Sequence, residues 1–312
     1  MIQWKQPLFA IEKVCPNLDE LALNDKDAMR ILNDYHHQED IFHNIEILHL
    51  PCFQKTPIMF LSDLLGNFPN VTTLHVSHSS FQNLFPSERI GDHYSTKSPI
   101  IQIKKLWLYQ LEQIKHIWNH NNNDNSLPSN PLLQNLEVLR EVECSSLISL
   151  VSPPSSIAFK SLTTLKVKDC KKLIFLMTPS IAKSLVNLKR LTVSNCEMIE
   201  EVMMNINDEG ESESEEEEEI RFGSLEYLKL SSLSNFKSFF CSGQKHSFIF
   251  PSLEELIVTE CPKMQNFSSG TILAPMLTAV RIENKGWRWK EDLNTTIKQI
   301  FMEKKKVMYR LK

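Results

Sequence analysis

LTTLKVKDCKKLIFLMTPSIAKSLVNLKRLTVSNCEMIEEV, residues 162–202, spells one pattern twice: Leu162, Leu165 and Val167 recur 26 residues later as Leu188, Leu191 and Val193. Working outward, the first position of L-x-x-L-x-L falls at Leu18, Ile45, Val71, Ile103, Leu136, Leu162, Leu188, Leu225, Leu253 and Leu277. Of the thirty positions this alignment defines, Glu141 alone is not aliphatic. The last two positions of each motif alternate with polar neighbours, the period of a strand with one face buried. From Ile103 onward a second apolar pair follows at offsets eleven and fourteen, for example Leu173 with Leu176 and Phe236 with Phe239. Such a unit cannot bury its own apolar face, so successive units must stack before any is stable.

The expected fold is an α/β leucine-rich-repeat solenoid of about ten repeats, curved, with parallel strands on its concave face and a carboxyl-terminal capping helix. Residues 1–14 read as the tail of a preceding repeat, 15–284 as the array, and 285–312 as the cap. Within the cap, the helix is expected over 287–309, with Asp292 or Asn294 as its N-cap. The stretches near 119–130 and 208–219 fall between core positions and read as loops on the outside. Nothing polar covers the amino-terminal edge, so an upstream continuation of the solenoid is expected there.

Nine of the 38 acidic side chains lie in 208–219, DEGESESEEEEE, and without them the chain would carry net positive charge. No apolar run approaches the roughly eighteen residues that span a bilayer, and no export signal opens the chain. Seven cysteines, an odd number, read as reduced thiols of a cytoplasmic protein, with Lys304, Lys305 and Lys306 keeping nuclear entry open. Cys144, Cys170, Cys196 and Cys261 each stand eight residues after a first leucine, the place of a small core residue and not of a paired metal ligand. His36, His37, Glu39 and Asp40 read as a solvated loop. No metal, cofactor or catalytic group is expected: the chain contains no H-E-x-x-H, G-x-S-x-G or phosphate-cradling glycine loop.

The units FKSLTTLKVKDCKKLIFL (159–176), LVNLKRLTVSNCEMIEEV (185–202) and FPSLEELIVTECPKMQNF (250–267), with the closing GWRWKEDLNTTIKQIF (286–301), resemble the repeat region of plant nucleotide-binding leucine-rich-repeat immune receptors, particularly the coiled-coil class. The resemblance implies a sensor for a pathogen effector or a modified host protein, working with a nucleotide-binding module that this chain does not contain. An F-box-type substrate adaptor of a ubiquitin ligase is the alternative, since its repeats are also near 26 residues and carry a cysteine after the strand. The usual I-T-D continuation is replaced here by Lys171-Lys172-Leu173, and no F-box precedes the array.

Side chains between the buried strand positions face outward, and residues one repeat apart become neighbours. Four residues after each first leucine stand Ala22, His49, His75, Trp107, Arg140, Lys166, Thr192, Lys229, Ile257 and Arg281. The candidate partner-binding lane is its aromatic and basic middle with flanking residues: Lys105, Trp107, Tyr109, Arg140, Lys166, Lys168, Arg190, Tyr227 and Lys229. Such a lane suits a protein ligand with an acidic face, and the expected partners include neither nucleic acid nor a membrane. The acidic run at 208–219 is expected to compete for it from within the chain.

Overall fold

Offset three of the motif sets the strand register. Leu21, Leu48, Leu74, Leu106, Leu139, Leu165, Leu191, Leu228, Leu256 and Val280 pair in unbroken succession. The computed structural model describes residues 18–34, 42–54, 60–82, 84, 103–118, 135–152, 158–204, 218–240, 246–282 and 286–310. Residues 1–14, the 119–130 stretch and the His36–Asp40 cluster lie outside them.

The paired strands are β1 (Glu20–Ala22), β2 (Ile47–Pro51), β3 (Thr73–Ser77), β4 (Lys105–Tyr109), β5 (Val138–Val142), β6 (Thr164–Lys168), β7 (Arg190–Ser194), β9 (Tyr227–Ser231), β11 (Glu255–Thr259) and β13 (Val280–Arg281). All run parallel, one per repeat, and a short antiparallel strand β14 (Trp287–Arg288) closes the eleven-stranded sheet. Behind it, the second apolar pairs form a core column of their own, from Ile114 and Ile117 to Met264 and Phe267, all buried. Backbone amides link this column from turn to turn: Ile117 N–H donates to Leu150 O at 3.0 Å, Leu176 to Val202 at 2.9 Å, and Phe239 to Phe267 at 2.7 Å.

The return legs differ along the array. Three of those in the earlier repeats are helical among the described residues: α1 (Asp25–Asp34), whose cap is Asn24 Oδ1 accepting from Lys26 and Asp27 N–H, α2 (Phe60–Leu65) and α3 (Pro179–Ser184). Later ones are strands: β8 (Glu218–Arg221), β10 (His246–Ile249) and β12 (Ile272–Leu273) form a second parallel sheet. Glu218 and Glu219 are therefore strand residues and not loop, because Ile220 and Phe222 behind them are wholly buried and pull the segment against the core. Residues 208–217 lie outside the described residues. Aromatic rings fill this region, with Phe239 lying 5.0 to 6.0 Å from Phe222, Phe248, Phe250 and Phe267.

Each strand of the large sheet from β2 to β11 leaves it through one left-handed residue, seven after its first leucine: Cys52, His78, Gln110, Glu143, Asp169, Asn195, Ser232 and Glu260, with φ between 50° and 64°. In the seven from Cys52 to Ser232 the amide donates to the next strand's last carbonyl at 2.9 to 3.0 Å, extending the ladder one step past the strand. That bond offsets the cost of about 1–2 kcal/mol that a side chain incurs in the left-handed region. The following residue then turns inward, which is where Cys144, Cys170, Cys196 and Cys261 are buried as free thiols.

The closing helix α4 spans Leu293–Arg310, shorter than the expected 287–309 because Trp287 and Arg288 are drawn into the sheet. Asp292 is its cap: Oδ1 accepts from Thr295 N–H at 2.8 Å and Oδ2 from the Thr295 hydroxyl at 2.7 Å. Asn294 serves another purpose, since its Oδ1 accepts from Phe267 and Ser268 N–H and its Nδ2 donates to Ser268 O. One amide thus satisfies the last donors and the last acceptor of the rear ladder. Leu293 and Ile297 bury against the final repeat.

Candidate protein-binding face

The register places the outward residues four after each first leucine in a single file from Ala22 to Arg281. Strands about 4.8 Å apart bring flat side chains in that file to stacking distance. His49 and His75 rings lie 4.3 Å apart, His75 and Trp107 4.3 Å apart, and the Arg140 guanidinium sits 4.9 Å from the Trp107 ring centre. Glu20 Oε1 lies 2.7 Å from His49 Nε2 at the start of the row, close but off the line a ring N–H needs for a hydrogen bond. Trp107 Nε1 is covered and has no hydrogen-bond partner among the described residues, so the plane of the ring is used and its donor is not.

Burial, with His49 alongside, pushes the His75 imidazole down to about 4, while Glu20 pulls weakly the other way. The folded chain then holds fewer protons than the unfolded chain between pH about 6.5 and 4, so His75 withdraws stability as pH falls through that window. Trp107→Ala is expected to open the ring to water and move the His75 midpoint back toward about 6.5, read from the imidazole protons in an NMR titration. An unmoved midpoint would mean that Trp107 contributes nothing to that burial.

The nine candidate residues share this face, but their partners differ. Arg190 lies over the Tyr227 ring at 4.1 Å. Lys168 pairs with Asp169 at 3.1 Å, and the Tyr109 hydroxyl donates to Glu143 at 3.4 Å. Lys105, Lys166 and Lys229 carry no ion pair among the described residues. The carboxylates of Asp169 and Glu143 belong to the left-handed corner residues, which line one border of the basic lane and were not part of the expected site. Further along the file come Ile257 and Arg281, and Trp287 of β14, opposite Arg281, is more than half exposed.

The acidic run shows one end. Glu218 pairs with Lys183 and, at 2.9 Å, with His246 Nε2 in the return-leg sheet, across the core from the aromatic lane. Lys183 is the main reason that its carboxyl titrates below the usual range. Among the described residues, no three His, Cys, Asp or Glu side chains are grouped to hold a metal ion, and no helix is long and apolar enough to cross a membrane.

The family model for the leucine-rich repeats of RPS2-like plant disease resistance proteins matches residues 17–160 and 151–278. No curated protein matches the chain.

Proposed function

Because the chain belongs to the leucine-rich-repeat family of RPS2-like plant disease resistance proteins, we propose that it is the recognition part of a plant immune receptor, binding a pathogen effector or a modified host protein on its aromatic and basic face. The observation that carries this reading is the stacked row His49, His75, Trp107 and Arg140, continued by Lys166 and Lys229. A sheet gains little from bringing like charges onto neighbouring strands. Aromatic and arginine side chains held rigid by their neighbours bind a partner with little loss of freedom. The partner's matching surface is acidic, and a nucleotide-binding module acts beside the chain in the receptor. The chain binds and does not catalyse; its setting is the cytoplasm.

The test uses proximity labelling in plant tissue with the intact chain and two variants. Trp107→Ala is expected to lower labelling of the specific partner about tenfold or more, as loss of an interface anchor does. The double change Lys171→Ser with Lys172→Ser, on exposed residues beyond the strand exit, is expected to leave it unchanged. Equal loss in both, or in neither, would place recognition elsewhere.

A further inference from the structure

Midway along the lane the side chains become short. Thr192 on β7 stands between Lys166 and Lys229 in register, and Ser194 and Ser231 stand side by side in the row next to it, beyond Lys168. Ser194 is 8% exposed and Ser231 7% exposed although both belong to the outward rows, so the three hydroxyl residues floor a recess below their taller neighbours. Its rim is cationic: Lys166 and Lys229 on opposite sides of Thr192, Arg190 two residues before it, and Lys168 beside Ser194. Asp169 offsets one of these four charges, through Lys168. Among the described residues Lys166 and Lys229 have no ion pair, and Arg190, lying against the face of the Tyr227 ring, has no carboxylate paired to it.

Four cations around a floor of hydroxyl donors are unfavourable for an empty sheet face and suit a compact oxyanion. A carboxylate would neutralise one of them. A phosphate monoester carries about −1.5 to −2 charge at pH 7 and three acceptor oxygens, enough to meet lysines on two sides and a hydroxyl beneath at once. We propose that the recess at Thr192 binds a phosphate monoester. The proposal deepens the recognition reading by naming the group that the partner presents, a phosphorylated side chain; a free phosphate compound would carry the same chemistry.

Phosphorus NMR titration of the full chain tests it with two probes, a short peptide containing one phosphoserine and inorganic phosphate, against the same peptide with unmodified serine in a competition assay. The phosphopeptide is expected to bind about tenfold or more tightly than the serine peptide. Lys166→Ser with Lys229→Ser is expected to weaken it about tenfold, while Lys171→Ser with Lys172→Ser, the same change in net charge outside the recess, does not. Thr192→Val, which keeps a β-branched shape on the strand, separates loss of the hydroxyl from any loss of fold and is expected to weaken binding several-fold. Binding is expected to fall from pH 7 to pH 5 as the ester takes up a proton near pH 6. Phosphopeptide binding tighter than that of inorganic phosphate identifies a protein source, and equal binding a free one; both support the site. Equal weakening by the two lysine pairs, equal affinity of phosphorylated and plain peptide, or no saturable binding overturns it. Partner labelling that depends on Trp107 would survive each of those failures, so the two readings fail separately.

Discussion

Replacing Glu141 with leucine is expected to stabilise the chain by about 2 kcal/mol at pH 7, since a buried polar group without a partner costs about 1–3 kcal/mol. Glu141 occupies the inward column between Leu108 and Val167, is wholly buried, and neither carboxyl oxygen has a hydrogen-bond partner among the described residues. Burial, reinforced by the Cys144 and Cys196 thiols nearby, drives its carboxyl well above the usual range, so the folded chain keeps this proton. The unfolded chain releases it above pH about 4.3. With more protons on the folded state, wild-type stability declines as pH rises past that value. The leucine variant lacks this decline, so its advantage should be smallest near pH 4 and grow toward pH 8 in urea unfolding experiments. A leucine variant less stable than wild type, or an advantage independent of pH, would show that the carboxyl finds a partner in solution.

Phe239→Ala is expected to cost about 4 kcal/mol, within the range of about 3–5 for removing a buried phenylalanine. Phe239 touches four other rings and its amide carries the rear ladder to Phe267. Because each repeat contacts only its neighbours, the damage should be regional. Hydrogen exchange should quicken in β9 and β11 and leave β2 to β4 unchanged. Met198→Ala, on a side chain 52% exposed, should cost less than about 0.5 kcal/mol. A loss under about 1 kcal/mol at Phe239, or quickened exchange throughout, would mean that the ring cluster does not anchor the carboxyl-terminal repeats.

Register was legible in the sequence because it rests on one kind of atom at one spacing: aliphatic carbon at offsets three and five, from Leu48 to Val280. Glu141 stood out for the same reason. The left-handed corners were not legible, since Cys52, His78, Gln110, Glu143, Asp169, Asn195, Ser232 and Glu260 share a backbone conformation and no side-chain chemistry. Only their constant distance from the first leucine signals them. At the binding face, spacing alone gave the order of the lane but not the pairing of Lys168 with Asp169 or of Tyr109 with Glu143, which depends on where those corners aim their carboxylates. The recess at Thr192 was hidden likewise, because short hydroxyl residues become informative only when the height of their neighbours is known. In β8 a single inward Ile220 outweighed two glutamates that dominate the composition.

Asn294 gives the rear ladder an end group. A stack of like units with open hydrogen bonds at its last rung is a growing polymer, and its next monomer can as well come from another molecule as from the same chain. By occupying the donors of Phe267 and Ser268 and the acceptor of Ser268, one side-chain amide terminates that growth. Chains cut short before Leu293 would keep every repeat and lose the terminator, and their characteristic defect would be end-to-end assembly into filaments, not failure to fold.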